Sequence, residues 1–239
     1  MNQPDSHVSS AVPLSGTVFV FSTAICYNSG MIIPTFELEQ TKRAAGYHFI
    51  GGVDEAGRGP WAGPLVAAAV ILAIGELDAP PIRDSKTLTA KARAKAAEWI
   101  RGHAISWAIG EVSSGEIDQL GLQLANKLAM KRAITALSPL ADYILTDYVG
   151  RIAFRTPFEV IIGGDRTSLS IAAASIMAKT HRDRLMQQFS VQYPKYRFDL
   201  HKGYGTALHR ELLVRHGLCP IHRRSFTPVG DIAKARESS

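Results

Sequence analysis

The sequence predicts a mixed α/β fold in which helices pack against a single sheet. After a short first helix, strand-like and helix-like segments alternate along 239 residues in the order strand, strand, helix, strand, helix, strand, strand, helix, helix. Hydrophobic residues make up 46% of the chain, which is enough for a large core. Because no internal repeat or low-complexity linker separates the segments, one domain with a helical C-terminal part is the simplest organisation.

Five segments have the composition of strands. Gly63–Ile74 consists almost entirely of small and β-branched apolar residues, as expected of a strand buried on both faces. In His103–Val112, apolar side chains recur at every second position. Three further apolar segments complete the predicted sheet: Tyr47–Asp54, Tyr143–Asp147 and Phe158–Ile162.

Five segments have helical composition. Thr89–Gly102 is rich in Ala, Lys and Arg and ends at a glycine, which is a common helix stop. A longer helix over 113–137 starts at two serines, which suit an N-cap. The remaining predicted helices are Phe36–Ala45, Ser168–Gln188 and Thr206–His216.

The two ends of the chain are expected to pack poorly. Residues 1–30 are rich in Ser, Asn, Pro and Gly around one apolar patch, and we interpret them as a poorly ordered extension upstream of a candidate true start at Met31. The patch, Thr17–Cys26, is shorter than the ~18 residues of a membrane span, and the extension lacks the basic leader of a signal peptide. The predicted domain is therefore 31–229, followed by a flexible tail over 230–239.

The charge balance favours a polyanionic partner. Lys and Arg number 27 against 21 Asp and Glu, and the pI is about 9.4. Such a balance attracts nucleic acid or an anionic surface. Cys26 and Cys219 are the only cysteines, too few for a disulfide framework or a zinc site, so the sequence indicates a reducing, cytoplasmic setting.

Four acidic residues fall at or just beyond the ends of predicted strands: Asp54, Glu55, Asp147 and Asp165. Functional sites in sheets of this class collect at strand ends. If the carboxylates converge there, a cation is needed to balance their charge, and oxygen ligands favour Mg²⁺ or Mn²⁺ over zinc. The alternative for each aspartate is structural, the capping of the helix or turn that follows it.

Two adjacent acids and a glycine–arginine–glycine turn form the densest group of candidate residues. Neighbouring strand side chains point to opposite faces, so Asp54 and Glu55 reach one site only if the strand ends or bulges between them. In the turn that follows, Gly57 and Gly59 allow a ligand to approach closely, and Arg58 suits phosphate. We therefore expect the strand to break between the two acids.

Basic residues crowd the stretch 179–224, with tyrosines between them. Basic groups grip phosphates and aromatic rings stack on bases or sugars, so the cluster favours nucleic acid, although any single member is more simply a solvated surface charge. Five histidines in this stretch lack metal-ligand spacing and are expected at the surface or in packing. The cluster comprises Lys179, Arg182, Arg184, Lys195, Arg197, Lys202, Arg210, Arg215, Arg223 and Arg224, with Tyr193, Tyr196 and Tyr204.

The motifs of the chain resemble those of bacterial ribonuclease HII. They are GVDEAGRGPWAGPLVAAAVIL, DSKTL, LTDYVG, GGD with SIAAASIMAKTHRDRLM, and HKGYGT, in that order between about Pro34 and Val229. The resemblance implies the ribonuclease H fold, a mixed five-stranded sheet flanked by helices, with a helical C-terminal part. It also implies an endoribonuclease that cleaves the RNA strand of RNA–DNA hybrids and nicks duplex DNA at embedded ribonucleotides, acting as a monomer away from membranes.

The resemblance further implies a role for each candidate residue. Four acids match the positions that hold two divalent cations for phosphodiester hydrolysis: Asp54, Glu55, Asp147 and Asp165. The turn Gly57-Arg58-Gly59 matches the motif that contacts the ribonucleotide at the RNA–DNA junction. Tyr204 matches a tyrosine that stacks at the junction sugar, and Lys86 matches a lysine near the substrate phosphates.

Two other classes of function remain open. A junction resolvase of the same fold would cut without a 2′-hydroxyl, and a non-catalytic nucleic-acid-binding module would need no metal. The related ribonuclease HIII carries a sizeable N-terminal substrate-binding domain, and we do not expect this sibling because only 53 residues precede Asp54. The chain departs from the family pattern at Trp61, Tyr148 and Gly163.

Overall fold

The strands form from the most apolar segments of the chain. The computed structural model describes residues 33–75, 79–147 and 154–237. In these ranges the sheet has five strands: β1 Ile50–Ala56, β2 Leu65–Ile71, β3 Ser106–Val112, β4 Tyr143–Thr146 and β5 Phe158–Val160. Each lies within or overlaps a predicted strand, and the mixed five-stranded sheet confirms the expected fold class.

The strands lie in the order β3-β2-β1-β4-β5 across the sheet. β1 pairs antiparallel with β2, which pairs antiparallel with β3. On the other side, β4 runs parallel to β1, and β5 runs parallel to β4. The C-terminal ends of β1 and β4 therefore meet at one edge of the sheet, which is where the candidate acids follow.

Eight α-helices accompany the sheet in the described part of the chain. The helix predicted over 113–137 is two helices, because Gly121 has a φ of 75° and interrupts it. A capping box between Ser113 and Glu116 starts the first of the two, as the serine pair predicted. The helices are α1 Glu37–Ala44, α2 Ala90–His103, α3 Ser114–Leu120, α4 Leu122–Thr135, α5 Leu169–Gln192, α6 Phe198–His201, α7 Ala207–His216 and α8 Val229–Glu237.

The two faces of the sheet are covered by different helices. α5 crosses one face directly over β1, where a Cβ on Gly52 would lie 2.1 Å from the backbone carbon of Ser170, so only glycine permits this approach. α2 joins α5 on this face, around a buried cluster that includes Ala68 of β2. α4 covers the opposite face and shares a second buried cluster with Ala67. Neighbouring residues of one strand therefore meet different helices.

The C-terminal part packs around a small core of its own. Ala62 and Met186 meet Tyr196 and Phe198 there. Residues 229–237 form α8, where a tail had been expected from residue 230, and Arg236 Nη1 ties this helix to the chain by donating to Val214 O at 2.6 Å. The extension expected over 1–30 lies outside the described residues. No described helix is both long and apolar enough to cross a membrane.

Candidate active site

Asp54 and Glu55 lie in a regular part of β1. Asp54 pairs in register with Ala68 and Glu55 with Ala67, so the strand continues through both acids to Ala56. The expected break between them is wrong: antiparallel pairing with β2 holds both residues in the ladder. Asp54 therefore points to the face covered by α5, and Glu55 points to the face covered by α4.

Each acid meets a polar side chain on its own face. Ser175 of α5 lowers the pKa of Asp54, and the amide of Asn126 on α4 lowers that of Glu55, in each case against the larger effect of burial. Neither amide atom of Asn126 has a hydrogen-bond partner of good geometry among the described residues. Asn126 is fully buried. Neither polar residue was predicted as part of the site: Ser175 lies in an Ala-rich block and Asn126 in an ordinary helix, so sequence pattern alone carried no signal for them.

The charge of Asp147 acts on both Asp54 and Glu55, although these two side chains point to opposite faces of the sheet. Thr146, the last residue of β4, pairs with Val53, so the chain leaves the sheet beside Asp54 and Asp147 lies at the edge of β1. Asp147 Oδ1 accepts hydrogen bonds from two backbone N–H groups, Gly163 at 2.8 Å and Gly164 at 3.2 Å. The negative charge of Asp147 contributes to a raised pKa in both Asp54 and Glu55, which places the three carboxyl groups in one electrostatic cluster.

Asp165 is the fourth acid of the group, and its charge acts on Asp147. It lies in a 3₁₀ turn, Gly164–Arg166, just before α5, and it is 4% exposed. Its charge raises the pKa of Asp147. Lys86 Nζ lies 3.2 Å from Asp165 Oδ2. Burial alone would lower the pKa of Lys86, but Asp165, Asp84 and Asp54 outweigh this and raise it.

Burial and neighbouring negative charges raise the pKa values of the acids, and one carboxylate oxygen has no hydrogen-bond partner among the described residues. Burial raises the pKa of Asp54 well above its ordinary value, and the charge of Glu55 adds to the effect. Burial likewise raises the pKa of Glu55 and of Asp147. Glu55 Oε2 is buried without a hydrogen-bond partner among the described residues. Like charges held together in this way fit a divalent cation, which would balance them and accept oxygen ligands.

The carboxyl groups are neighbours but do not form a finished metal shell. Within 33–75, 79–147 and 154–237, no three His, Cys, Asp or Glu side chains are grouped closely enough to hold one ion. The opposite directions of Asp54 and Glu55 along β1 explain this. Whether these four acids act as ligands thus stays a prediction that rests on their electrostatic coupling.

The turn after β1 lies directly beside the acids. Gly57 is buried with a φ of 98°, whereas Arg58 and Gly59 are exposed. Arg58 Nη1 lies 3.4 Å from Glu55 Oε1, and this positive charge lowers the pKa of Glu55 against the effect of burial. The exposed part of the turn can therefore meet a substrate that also reaches the acids.

Tyr204 lies on the loop that packs against this turn region. Gly203 O accepts a hydrogen bond from Trp61 N at 2.8 Å, which holds the loop beside the segment following the turn. The Tyr204 side chain is 43% exposed, and the ammonium of Lys179 lies 5.9 Å from the centre of its ring. This hydrogen bond places the loop that carries Tyr204 next to the segment that follows the Gly57–Gly59 turn.

Two of the positions that depart from the family pattern are explained by local packing. Gly163 has a φ of 68°, a conformation that suits glycine, and its N–H binds Asp147. Trp61 packs against His209 at a ring separation of 5.5 Å, with the Arg210 guanidinium 5.5 Å from the Trp61 ring. Tyr148 lies outside the described residues.

The basic cluster is not entirely a surface for nucleic acid. Arg182 and Arg223 are completely buried, so the expectation that they face a polyanion is wrong for these two. Tyr196 is also buried, at 6% exposure, and stacks on Phe198. Most of the other basic members of the cluster are partly or fully exposed. Three histidines of the stretch pack in the interior, as expected for packing residues: His201, His209 and His222.

Comparison with known proteins identifies the family. A family model described as Ribonuclease HII matches residues 51–229. The chain belongs to the ribonuclease HII family. The Ribonuclease HII of Chloroflexus aggregans is 46% identical over 212 residues, which cover 86% of this chain and 99% of that protein. The resemblance carried by the motifs is thereby confirmed, and the chain is a nuclease, a hydrolase with ribonuclease H activity on RNA–DNA hybrids.

Solved structures confirm the fold. The ribonuclease H2 from Pyrococcus horikoshii OT3 superposes with a TM-score of 0.68 at 22% identity, covering 80% of this chain and 100% of that chain. Bst-RNase HIII in complex with Mn²⁺ superposes with a TM-score of 0.64 at 19% identity, covering 80% of this chain and 71% of that chain. These similarities show that the chain shares its fold with both structures.

Proposed function

We propose that the chain cleaves the RNA strand of RNA–DNA hybrids and also nicks duplex DNA on the 5′ side of embedded ribonucleotides. The observation that carries the proposal is the electrostatic cluster of acids, in which burial raises the pKa of Asp54, Glu55 and Asp147. A neighbouring acid adds to each shift: Glu55 and Asp147 for Asp54, Asp147 for Glu55, and Asp165 for Asp147. Such a cluster is costly to maintain for structure alone and fits a site that receives cations. The products are 5′-phosphate and 3′-hydroxyl ends.

Two divalent cations, Mg²⁺ or Mn²⁺, are the proposed cofactors. The four acids offer oxygen ligands only, which suits these hard ions, and the structural neighbour Bst-RNase HIII in complex with Mn²⁺ supports the choice. When bound, the cations lower the pKa of the attacking water and stabilise the leaving 3′ oxygen. The residues proposed to hold them are Asp54, Asp147 and Asp165, together with Glu55 from the opposite face of β1, the assignment that the unbroken strand supports least.

Each acid contributes according to its position. The charges of Glu55 and Asp147 both add to the raised pKa of Asp54, and we propose Asp54 as the ligand that the two cations would share. The two N–H groups that bind Asp147 Oδ1 fix that carboxylate and leave its other oxygen for a ligand. Lys86, beside Asp165, balances charge at the edge of the site and is suited to a substrate phosphate.

Substrate selection falls to the turn and to Tyr204. The 2′-hydroxyl is the group that distinguishes RNA from DNA at a single nucleotide. We assign its recognition to Gly57, Arg58 and Gly59, because the exposed part of this turn adjoins the acids. The half-exposed ring of Tyr204 is placed to stack at the sugar of the junction nucleotide.

One assay separates this function from the two alternatives. The protein is incubated with a DNA duplex bearing one ribonucleotide, with an RNA–DNA hybrid and with a DNA four-way junction, each in Mg²⁺, Mn²⁺ or chelator. The proposal expects cutting of the first two substrates and only with a cation. Cutting of the all-DNA junction would favour a resolvase, and binding without cutting would favour a non-catalytic module.

We also propose the bounds of the catalytic unit, its oligomeric state and its location. We place the catalytic unit within 31–229, because the family match and the described sheet both lie there. We propose that it acts as a monomer in the cytoplasm, where RNA–DNA hybrids and ribonucleotide-containing DNA are its partners. Size-exclusion chromatography with light scattering tests the oligomeric state, and a dimer mass would contradict it.

A further inference from the structure

Arg223 is buried beneath the turn that follows β1. It is 0% exposed, and its guanidinium donates only to backbone carbonyl oxygens in the described structure. Nη2 donates to Gly57 O at 2.6 Å and Nη1 to Arg58 O at 3.0 Å. Nε and Nη2 both donate to Gly63 O, at 3.0 and 2.9 Å. The planar guanidinium of Arg223, with its fork of N–H donors, thus binds the carbonyl oxygens of Gly57 and Arg58 in the turn and that of Gly63 in the segment after it.

Arg182 of α5 also donates hydrogen bonds to the segment that follows the turn. It is also 0% exposed and donates to Pro64 O, Ala62 O and Lys202 O at 3.0 to 3.1 Å. It packs so closely under Gly57 that a Cβ there would lie 2.2 Å from Arg182 Nε. The two arginines therefore join the turn to the loop that carries Tyr204.

The cost of this arrangement indicates a use beyond packing. Burying a charged guanidinium is costly, and hydrogen bonds to carbonyl oxygens offset only part of the cost, because no carboxylate of the described residues lies within ion-pair distance of either arginine. Burial lowers the pKa of Arg223 to about 9, so the side chain remains charged at neutral pH. An apolar side chain of similar volume would fill the space without this cost.

The fork fixes the direction of the N–H groups on the outer side of the turn. In a planar trans peptide the C=O and the following N–H point in opposite directions. Because Gly57 O and Arg58 O point at the buried guanidinium, the N–H groups of Arg58 and Gly59 point away from it, on the exposed side of the turn. A cation at the carbonyl end also polarises each peptide and strengthens its N–H as a donor.

We propose that Arg223 is a positioning residue for ribonucleotide recognition, which aims the Arg58 and Gly59 N–H groups at the 2′-hydroxyl oxygen. Arg182 holds the Lys202–Tyr204 loop in register with the turn. The inference rests on the proposed role of the Gly57–Gly59 turn in reading the ribose. It assigns the direction and strength of those donors to a side chain that never touches the substrate.

The test compares Arg223→Lys with the control Arg43→Lys, an exposed arginine on α1 outside the basic cluster. Lysine keeps the charge but cannot form the planar fork. Binding is measured by fluorescence anisotropy in chelator, with a DNA duplex bearing one ribonucleotide and with the same duplex made entirely of DNA. The ratio of the two Kd values reports 2′-hydroxyl recognition, whereas a merely structural role would weaken both affinities together.

The wild-type protein is expected to prefer the ribonucleotide duplex. Arg223→Lys is expected to lose about tenfold of that preference, the effect of misaligned donors to one hydroxyl, while its affinity for the all-DNA duplex stays unchanged. The Arg43→Lys control is expected to keep the wild-type affinity for both duplexes. An unchanged preference in folded Arg223→Lys overturns the inference alone. If the wild type itself shows no preference, the proposed role of the turn fails, and the inference falls with it.

A second measurement applies if Arg223→Lys does not fold. In the wild-type protein, the amide resonances of Arg58 and Gly59 are followed by ¹⁵N NMR during titration with each duplex in chelator. The inference expects both resonances to shift more with the ribonucleotide duplex than with the all-DNA duplex. Equal shifts with the two duplexes overturn it.

Discussion

Asp54 and Glu55 leave β1 on opposite faces of the sheet, yet the charge of Glu55 raises the pKa of Asp54. The two acids interact around the edge of the strand, at the level where β4 has ended and Asp147 takes its place. If these acids hold cations as proposed, the site draws one carboxyl group from each face of β1 and a third from the residue that follows β4.

Replacing Asp54 by asparagine tests the centre of the cluster. Asp54→Asn keeps the shape and removes the charge, so we expect a folded protein that still binds hybrid but cuts it at least ~10³-fold more slowly. Single-turnover cleavage and thermal unfolding measure the two properties. The control is Asp231→Asn on exposed α8, which should keep the rate. Near-normal cutting by Asp54→Asn would remove it from the metal assignment.

Alanine substitutions at Gly57 and Gly59 are expected to have different effects on the free energy of unfolding. Gly57 has a φ of 98°, and a Cβ there would lie 2.2 Å from Arg182 Nε, so Gly57→Ala should lower the free energy of unfolding by roughly 1–3 kcal/mol or more. Gly59 lies outside the left-handed region with no atom within 4 Å of its Cβ position, so Gly59→Ala should change it by less than about 0.5 kcal/mol. Urea unfolding measures both, and equal losses would refute the described turn.

The ring of Tyr204 is expected to set preference for isolated ribonucleotides. Tyr204→Ala removes the stacking surface, worth about 1–3 kcal/mol per base, whereas Tyr204→Phe keeps it. We predict that the alanine variant loses its preference for a duplex with a single ribonucleotide over an RNA–DNA hybrid, and that the phenylalanine variant retains most of it. The comparison uses kcat/KM on both substrates. An alanine variant with wild-type preference would exclude Tyr204 from recognition.

Buried histidines make stability depend on pH. His209 Nε2 and His222 Nε2 lie 3.1 Å apart, and because His209 Nδ1 donates to Tyr204 O, His209 Nε2 accepts this hydrogen bond. Protonation of His209 at Nε2 therefore breaks it. Burial lowers the pKa of each histidine from 6.5 to about 4. The unfolded chain therefore binds more protons between pH 4 and 6.5, and stability is lost as the pH falls through that range.

His209→Gln should flatten this dependence. A pKa lowered from 6.5 to about 4 corresponds to ~3 kcal/mol in full, so the loss of unfolding free energy between pH 7 and pH 4.5 should shrink by about 2 kcal/mol in the variant. The buried acids titrate in both proteins and cancel in the comparison. The control is His216→Gln, for a partly exposed ring. An identical pH profile in His209→Gln and wild type would contradict the assigned environment.

The sequence was sufficient for the fold and for the neighbourhood of the acids. Strong periodicity and β-branched runs predicted all five strands, and the positions of Asp54, Asp147 and Asp165 at strand ends predicted that they gather at one edge. This worked because parallel pairing of β1 with β4 brings their C-terminal ends together. The break predicted between Asp54 and Glu55 was wrong because antiparallel pairing with β2 continues through both residues, which local sequence does not reveal.

The buried arginines show what sequence pattern does not reveal. Arg182 and Arg223 occur among exposed basic residues, and composition gave no reason to separate them. Their burial depends on backbone carbonyls from residues more than 100 positions away, such as Gly57 and Pro64. Asn126 is a similar case, since its contact with Glu55 follows from helix packing on one face of the sheet.

Cleavage of one defined duplex tests the central claim most directly. A DNA duplex with a single ribonucleotide is incubated with the protein in Mg²⁺ or Mn²⁺ and in chelator, and the product ends are mapped beside an all-DNA duplex of the same sequence. The account predicts one nick on the 5′ side of the ribonucleotide, with 5′-phosphate and 3′-hydroxyl ends, only when cation is present. Cutting in chelator, or equal cutting of the all-DNA duplex, would contradict it.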